Sequence, residues 1–418
     1  MTRLTRAALA ADLAEAAFTA PISSSTTPRR LGAEVELIPV ESVTGRRCPI
    51  EAEEVISTLP LLRRFGAGQG WHEGVTEKGT PCFALPAGGA LTFEPGGQLE
   101  YSSPPCSTAA GLLALLRSVV LPLRAAAADE GIDLLAVGLD PMNSADRAPL
   151  LISAKRYHRM AEYLAHRGPA GARMMRQTAA LQVSLDFDDE PWLRWRVLNA
   201  VTPYMVAIFA NSPIYCGERT GHQSARAHVW RTLDPARTGL PYREGAPVEA
   251  YLEFALNAPA ILFPIVHGEH RPFGEWLARG NPSVPEWREH LSTLFPEVRP
   301  RGHLELRSAD TIAPEWYAAP LALTAGILYD SRALRAAAEL LGPPDQDLLE
   351  LAGRVGLHDQ GIARTATDLF ELAMEGCAGL GPGYFHPADL EQAHAFFERY
   401  TRRARSPADD LIQEAVAA

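Results

Sequence analysis

Four segments of this 418-residue chain alternate polar with apolar residues, and carboxylates dominate their polar positions. Successive side chains of a β-strand point to opposite faces, so Glu34 and Glu36 share one face while Val35 and Leu37 share the other. A solvated outer face explains any single strand of this kind. Carboxylates that face one another across strands destabilise a sheet, however, so a face rich in them requires cations. The pattern therefore predicts a sheet with one ligand-binding face.

The other segments place further oxygen donors on that face. Gln98, Glu100 and Ser102 alternate with apolar residues, and Glu94 lies just before Gly96 and Gly97. The remaining two segments contribute Gln182, Ser184 and Asp186, and then Arg301, His303, Glu305 and Arg307. Glycines beside charged residues indicate a bend or a close approach of backbone to a ligand. Carboxylate and amide oxygens without sulfur form a hard ligand set, which suits Mg²⁺ or Mn²⁺ and not zinc.

The order of elements predicts an α+β fold. Strands come in separated pieces with helices between them, and the chain contains neither GxGxxG nor GxxxxGK[ST], so a dinucleotide fold or a Walker-type loop is not supported. Leu9, Leu13 and Phe18 predict an amphipathic amino-terminal helix. Residues 212–245, rich in Pro, Gly and Arg, predict a long loop or lid. Further helices are predicted over 51–65, 107–130, 153–166, 191–211, 316–341, 345–355, 361–377 and 387–417.

Charge and cysteine content exclude several classes of partner. The net charge of −11 and the absence of a lysine-rich stretch argue against nucleic acid and against an anionic membrane surface. No stretch approaches the roughly 18 apolar residues of a membrane span. Five scattered cysteines without a CxxC pair fit a reducing compartment, so we expect a cytoplasmic protein.

Arginine provides 37 of the 39 basic residues, and a biased genome explains most of this excess. Some arginines nevertheless cluster beside the polar strands: Arg173 and Arg176 precede the third strand, and Arg299, Arg301 and Arg307 flank Glu305. Guanidinium groups match carboxylates and phosphates in geometry. Carboxylate-held Mg²⁺ with converging arginines predicts phosphoryl transfer from a nucleotide. For any single arginine, ordinary surface charge remains an equal alternative.

Seven ordered motifs resemble the glutamate–cysteine ligases of plants and proteobacteria, and also those of actinobacteria that serve ergothioneine synthesis. The resemblance covers about residues 31–307. The motifs are 31–36 (LGAEVE), 94–100 (EPGGQLE), 173–184 (RMMRQTAALQVS), 211–213 (NSP), 226–230 (RAHVW), 234–239 (DPARTG) and 299–307 (RPRGHLELR).

The resemblance implies a glutamine-synthetase-like fold, a curved antiparallel sheet that forms a funnel under helices. It implies one catalytic domain over 1–418, with the sheet core at about 31–307 and a helical carboxy-terminal layer at about 308–418. It also implies ATP-dependent ligation of L-glutamate to L-cysteine through a γ-glutamyl phosphate, with two or three Mg²⁺ ions.

Roles for individual residues follow from the same motifs. Magnesium ligands would be Glu34, Glu36, Glu94, Glu100, Gln182 and Glu305. Glutamate would contact Arg176, Thr178, Arg226 and Trp230, while Arg156 and Tyr157 would line the substrate pocket. Arg301 and Arg307 would neutralise the transferring phosphoryl group. Two alternatives stay open: a ligase of the same mechanism with another amine acceptor, and a non-catalytic binding relative. The sequence also leaves open whether the protein is a monomer or a homodimer, and whether it serves glutathione or ergothioneine synthesis.

Overall fold

A computed structural model describes residues 4–19, 29–77, 79–152, 154–187, 190–263 and 269–417. Its strands are β1 (Leu31–Glu41), β2 (His72–Val75), β3 (Pro81–Ala84), β4 (Ala90–Phe93), β5 (Leu99–Ser102), β6 (Ile132–Leu135), β7 (Ala180–Leu185), β8 (Ile214–Tyr215), β9 (Glu218–Arg219), β10 (Val298–Pro300) and β11 (Leu304–Asp310). Apart from the short β8–β9 hairpin, they form one antiparallel sheet in the order β10-β11-β7-β1-β5-β4-β3-β2, with β6 paired to β1.

The first helices are α1 (Arg6–Leu13), α2 (Thr58–Gln69), α3 (Ala109–Asp129), α4 (Lys155–Ala165), α5 (Ala170–Gln177), α6 (Pro191–Ile208), α7 (Ala225–Leu233), α8 (Pro235–Thr238) and α9 (Pro247–Asn257). They are followed by α10 (Phe273–Arg279), α11 (Val284–Leu291), α12 (Ala318–Tyr329), α13 (Ser331–Leu340), α14 (Gln346–Val355), α15 (Gln360–Leu380), α16 (Pro387–Arg399) and α17 (Pro407–Ala417). A π-helical turn over Ala14–Phe18 continues α1.

Strand β1 divides the protein into an apolar side and a polar side. Leu31, Ala33, Val35 and Leu37 alternate along it and are at most 3% exposed, because helices α3, α6 and α12 contact strands on this side of the sheet. The opposite side carries the glutamates and faces α4, α5 and α7 across a cavity. One apolar cluster extends from Leu9 to Tyr400 and so includes helices from both ends of the chain.

The structure confirms the α+β class, the antiparallel sheet covered by helices and the helical carboxy-terminal region. The helix predicted over 51–65 is wrong in its start, because the helix begins only at Thr58 and leaves Val55 and Ile56 exposed. Pro60 lies in its first turn, where a missing amide proton costs nothing. The helix predicted over 153–166 is α4, and residue 153 itself lies outside the described residues.

The long loop predicted over 212–245 is also wrong. This segment contains β8, β9, α7 and α8. The hydroxyl of Ser224 accepts a hydrogen bond from the amide of Ala227 and caps α7, while Pro235 opens α8. The Gly and Pro residues therefore mark the ends of short elements.

Helix α3 is long and apolar enough to cross a bilayer by length and composition alone. The expectation that no stretch approaches a membrane span is therefore wrong for this helix. Leu112, Leu116 and Leu123 on this helix are at most 1% exposed. The helix contacts α2, β1 and β6, so its buried face belongs to the apolar core.

Candidate active site

The polar face gathers carboxylates from neighbouring strands in direct register. Glu36 of β1 lies opposite Glu100 of β5, and Glu34 of β1 lies opposite Gln182 of β7. One oxygen of Glu36 accepts a hydrogen bond from the Gln182 amide at 3.0 Å, and the other accepts one from the backbone amide of Ala180 at 2.8 Å. The hydroxyl of Ser102 donates to Glu100 at 3.0 Å. The alternation of β1 thus places its glutamates between two strands with oxygen donors.

Glu94 reaches the same face from the tight turn between β4 and β5. A Cβ atom on Gly96 would lie 2.3 Å from the backbone oxygen of Arg176, so only glycine permits this approach. Gly97 adopts a φ of +81°, a left-handed conformation that favours glycine. The Gln98 amide donates to the backbone oxygen of Thr178 at 2.9 Å. The turn is therefore fastened to the start of β7.

The clustered carboxylates repel one another. Loss of water, and then the negative charges of Glu100 and Glu305, raise the pKa of Glu34 to about 8. Loss of water, and then the charges of Glu94 and Glu36, raise the pKa of Glu100 to about 8. Burial also raises the pKa of Glu36, although Arg226 opposes this effect. The group therefore requires positive charge before all its members ionise at neutral pH.

Glu305 has the opposite environment. Burial disfavours its charge, but Arg299 and Arg307 outweigh that effect and hold the pKa of this carboxyl well below its usual range. Arg299 binds both carboxylate oxygens, at 2.6 and 3.0 Å. Arg307 donates to Glu305 at 3.0 Å and Arg301 at 3.3 Å, and Arg307 also donates to the amide oxygen of Gln182. Three guanidiniums thus surround a single carboxylate that is 1% exposed.

A cavity of about 240 Å³ lies between these charged groups and the helices that cover the polar face. Eleven of the fourteen predicted site residues line it. These are Glu34, Glu36, Glu94, Glu100, Gln182, Arg156, Tyr157, Thr178, Trp230, Arg301 and Arg307. The structure therefore brings together residues that are up to 273 positions apart along the chain, from Glu34 to Arg307.

The other three predicted residues lie around the cavity. Glu305 is covered by its arginines. Arg226 is 4% exposed, and its guanidinium donates to the backbone oxygens of Arg307 at 2.6 Å and Ser308 at 3.3 Å. Its charged end also lies 5.0 Å from the ring centre of Trp230, which does line the cavity. Arg176 contributes backbone against the Gly96 turn.

Several further residues line the cavity although the sequence motifs assign them no role. Arg299 flanks Glu305 in the last motif, and Gln98 shares a strand face with Glu100, so both carried a signal. Ser292 and Phe295 follow α11 and carried none, since they reach the cavity only through tertiary packing. Met160, Met174 and Met175 add an apolar wall from α4 and α5.

The donor set fits a divalent cation chemically. It consists of carboxylate and amide oxygens, and the raised pKa values of Glu34 and Glu100 show that the group lacks positive charge. Within the described residues, no three His, Cys, Asp or Glu side chains lie close enough to hold one ion. Mg²⁺ commonly takes one or two carboxylates and completes its shell with water and substrate phosphates, so this spacing is compatible with it.

Two further cavities adjoin the first and share Arg301 with it. One, of about 460 Å³, continues along the sheet over Gly32, Ser102 and Ser184 and shares Glu34 and Arg301. The other, of about 470 Å³, lies beyond the edge strand β10 and shares Arg156, Ser292, Arg299 and Arg301.

Comparison with known sequences decides the family. The sequence model of glutamate–cysteine ligase family 2 matches residues 30–411. The chain belongs to this family. Membership of glutamate–cysteine ligase family 2 makes it a carbon–nitrogen ligase by class and confirms the resemblance seen in the motifs.

Named members of the family include bacterial and plant proteins. The chain is 35% identical to "Glutamate–cysteine ligase EgtA" of Mycolicibacterium smegmatis over 80% of this chain and 79% of that protein. It is 29% identical to the chloroplastic glutamate–cysteine ligase of Arabidopsis thaliana over 92% of this chain and 79% of that one. Among solved structures, the complex of the prokaryotic ubiquitin-like protein Pup with its ligase PafA matches with a TM-score of 0.40 and 12% identity, over 93% of this chain and 66% of that one.

Proposed function

We propose that the protein joins the γ-carboxylate of L-glutamate to the amine of L-cysteine at the expense of ATP. One observation carries the proposal: in a member of glutamate–cysteine ligase family 2, carboxylates that lack positive charge and a cluster of arginines line the same cavity. Phosphoryl transfer requires both, since the catalyst chiefly positions and neutralises oxyanions.

The proposed reaction has two steps. A γ-carboxylate oxygen attacks the terminal phosphorus of ATP, the bond to ADP breaks, and a γ-glutamyl phosphate forms. The cysteine amine then attacks the γ-carbonyl carbon, the carbon–oxygen bond to phosphate breaks, and a proton leaves the nitrogen for solvent. The products are γ-glutamylcysteine, ADP and phosphate.

The carboxylate side of the cavity would hold the cations. The proposed ligands are Glu34, Glu36, Glu94, Glu100, Gln182 and Glu305, with two or three Mg²⁺ ions, or Mn²⁺ in their place. When bound, the metal would neutralise the phosphate oxygens of the nucleotide. The amide of Gln182 already orients Glu36 through its hydrogen bond. Glu305 would give up some of its hydrogen bonds from arginine in order to bind a metal ion.

The arginine side would bind the reacting anions. Arg301 and Arg307 would neutralise the transferring phosphoryl group as it moves between ATP and glutamate. Thr178 and Trp230 would contact glutamate from above the sheet, and Arg156 and Tyr157 would line the substrate pocket beside them. Arg176 and Arg226 would act beside them.

Arg226 would position its neighbours. Its two hydrogen bonds fix the backbone of β11 at Arg307 and Ser308, and its guanidinium lies against the ring of Trp230. Glutamate would then meet an indole and an arginine whose orientations depend on one buried cation.

The cavity over Gly32, Ser102 and Ser184 would take the nucleotide. Small residues form its floor, which leaves the backbone accessible to a flat ring. Its junction with the main cavity at Glu34 and Arg301 lies where metal and arginine would meet the phosphates. We further propose that residues 1–418 form one catalytic unit, because a single apolar core extends from Leu9 to Tyr400. We also propose that this unit acts in the cytoplasm, because its scattered cysteines fit a reducing compartment.

A coupled assay of ADP release tests the proposal. Turnover should require glutamate, cysteine, ATP and Mg²⁺ together. Absence of ADP release with the glutamate–cysteine pair would refute the cysteine assignment. Two variants of the proposal would then be separated by further measurements. Rates with a panel of amines, at fixed glutamate and ATP, identify another acceptor. A melting temperature that does not change when ATP and Mg²⁺ are added identifies a non-catalytic relative that binds neither.

A further inference from the structure

The cavity beyond β10 has a wall that the main cavity lacks. The π-helical turn after α1 contributes Ala16 and Ala17 to this space, and α1 contributes Asp12 and Leu13. The matched family region starts at residue 30, so this wall lies outside it. The cavity adjoins the main cavity, because Arg156, Ser292, Arg299 and Arg301 line both.

The wall is firmly attached to the rest of the protein. Leu9 and Leu13 are completely buried, and Phe18 packs edge-on against Trp195 with ring centres 5.2 Å apart. Asp12 forms an ion pair with Arg288 at 2.5 Å. The backbone amide of Gly302 donates to the oxygen of Ala17 at 2.8 Å, which ties the turn to the segment between β10 and β11. The cavity is therefore a built feature of the fold.

The charge of the cavity is positive. Four guanidiniums line it, and three of them already have a carboxylate partner: Arg299 and Arg301 pair with Glu305, and Arg288 pairs with Asp12. Within the described chain, no carboxylate lies within ion-pair distance of the fourth, Arg156. Its terminal nitrogen donates to the backbone oxygen of Ser292 at 3.3 Å, and its buried Nε has no hydrogen-bond partner. Arg156 is thus equipped to bind an anion that enters this space.

Resting on the proposed function, we propose that this cavity is the entry site for the acceptor. The acceptor is an amine that also carries a carboxylate, which Arg156 binds while the amino-terminal helix forms the outer wall. Three substrates and three adjoining cavities support the assignment. The nucleotide and glutamate are accounted for along the sheet, and the acceptor must approach the γ-carbonyl from another direction than the departing phosphate.

A bulky substitution in the wall tests the entry site without touching the proposed catalytic residues. Ala16 is exposed and lines the cavity, whereas Ala11 is exposed on α1 and does not. Ala16→Trp should raise the KM for cysteine at least about tenfold, because the indole occupies space that the acceptor needs. Ala11→Trp should match the wild type. Hydroxylamine, a small nucleophile without a carboxylate, should trap the γ-glutamyl phosphate equally well in both variants.

The result that overturns the entry site is a cysteine KM for Ala16→Trp within twofold of that for Ala11→Trp. A rise in the KM for ATP instead would assign the cavity to the nucleotide and would equally overturn it. Failure of the proposed function looks different: wild-type protein would then release no ADP with glutamate and any nucleophile, hydroxylamine included.

The carboxylate requirement has its own comparison. Cysteamine keeps the thiol and amine of cysteine and lacks the carboxylate, so wild-type kcat/KM for cysteamine should be lower by about a hundredfold. In Arg156→Gln the ratio of kcat/KM for cysteine to kcat/KM for cysteamine should fall to about tenfold or less, whatever happens to the KM for glutamate. A ratio unchanged by Arg156→Gln, or a wild type that uses both amines equally, would exclude carboxylate recognition by Arg156.

Discussion

Replacing Glu100 by Gln should make the metal-free protein more stable while it abolishes turnover. Loss of water and the charges of Glu94 and Glu36 raise the pKa of Glu100 from 4.5 to about 8. The folded protein binds this proton more tightly than the unfolded chain does. The contribution of protonated Glu100 to the free energy of unfolding is therefore fully present below pH 4.5 and is lost as the pH rises towards 8. Glutamine removes the titrating group and keeps an oxygen that can accept the hydrogen bond from Ser102.

The magnitude follows from the pH interval. Each pH unit between 4.5 and 8 corresponds to about 1.4 kcal/mol, so the penalty at pH 7, 2.5 units above 4.5, is at most about 3.5 kcal/mol. The pKa of the neighbouring Glu36 is also raised by burial, so Glu36 can bind the proton instead, which lowers the gain from a single substitution. We expect Glu100→Gln to raise the free energy of unfolding by about 1–3 kcal/mol at pH 7 and by little at pH 5.

Urea unfolding of metal-free protein at pH 5, 6, 7 and 8 measures this difference. Glu218→Gln is a matched control, because this carboxylate is exposed on the β8–β9 hairpin. The control should show no pH-dependent gain. A difference between Glu100→Gln and wild type that stays constant from pH 5 to pH 8 would refute the electrostatic reasoning. Wild-type rates of ADP release in Glu100→Gln would refute its role as a metal ligand.

Three further substitutions address the surroundings of the site. Glu305→Gln should lower the free energy of unfolding by about 3–5 kcal/mol and abolish ADP release, because three guanidiniums lose their buried partner. Urea unfolding measures the change, and a variant as stable as the wild type would contradict this expectation. Arg226→Lys should raise the KM for glutamate about tenfold, since an ammonium cannot bridge the two β11 carbonyls that the guanidinium holds; steady-state kinetics test it, and an unchanged KM would exclude the positioning role. Gly96→Ala should reduce kcat and cost about 1–3 kcal/mol, because the added Cβ would meet the Arg176 backbone at 2.3 Å; equal activity and stability in urea would show that the turn can move.

The strand alternation was enough to predict which side chains share the polar face. Glu34 and Glu36 follow a period of two, and that period alone places them together whatever the partner strands are. The register that sets Glu36 opposite Glu100 was beyond the sequence, because pairing depends on tertiary packing of the other face. The prediction of a glutamate-rich face therefore succeeded without any knowledge of strand order.

The helices that cover the face were harder to predict. The segment 212–245 contains enough Gly, Pro and Arg to resemble a loop, yet its ion pairs and caps stabilise α7 and α8. The fully buried Arg237 holds the segment of Ser292 and Phe295 against the cavity through two hydrogen bonds. Its guanidinium donates to the backbone oxygen of Thr293, and the backbone oxygen of Arg237 accepts from the amide of Phe295. Such long-range hydrogen bonds leave no local pattern in the sequence.

The polar face divides its charge in a way that suits a two-step ligation. Glu34, Glu36 and Glu100 have raised pKa values and attract cations, whereas Glu305 has a lowered pKa because arginine surrounds it. A uniform mixture of both charges would neutralise itself and bind neither metal nor phosphate strongly. Separation keeps one side short of positive charge and the other rich in it, so under the proposed function a metal–nucleotide complex would bind beside the carboxylates and an acyl phosphate beside the arginines. Glu305 thus does more than balance the charge of its neighbours. Its carboxylate keeps three guanidiniums oriented towards the place where the phosphoryl group would move.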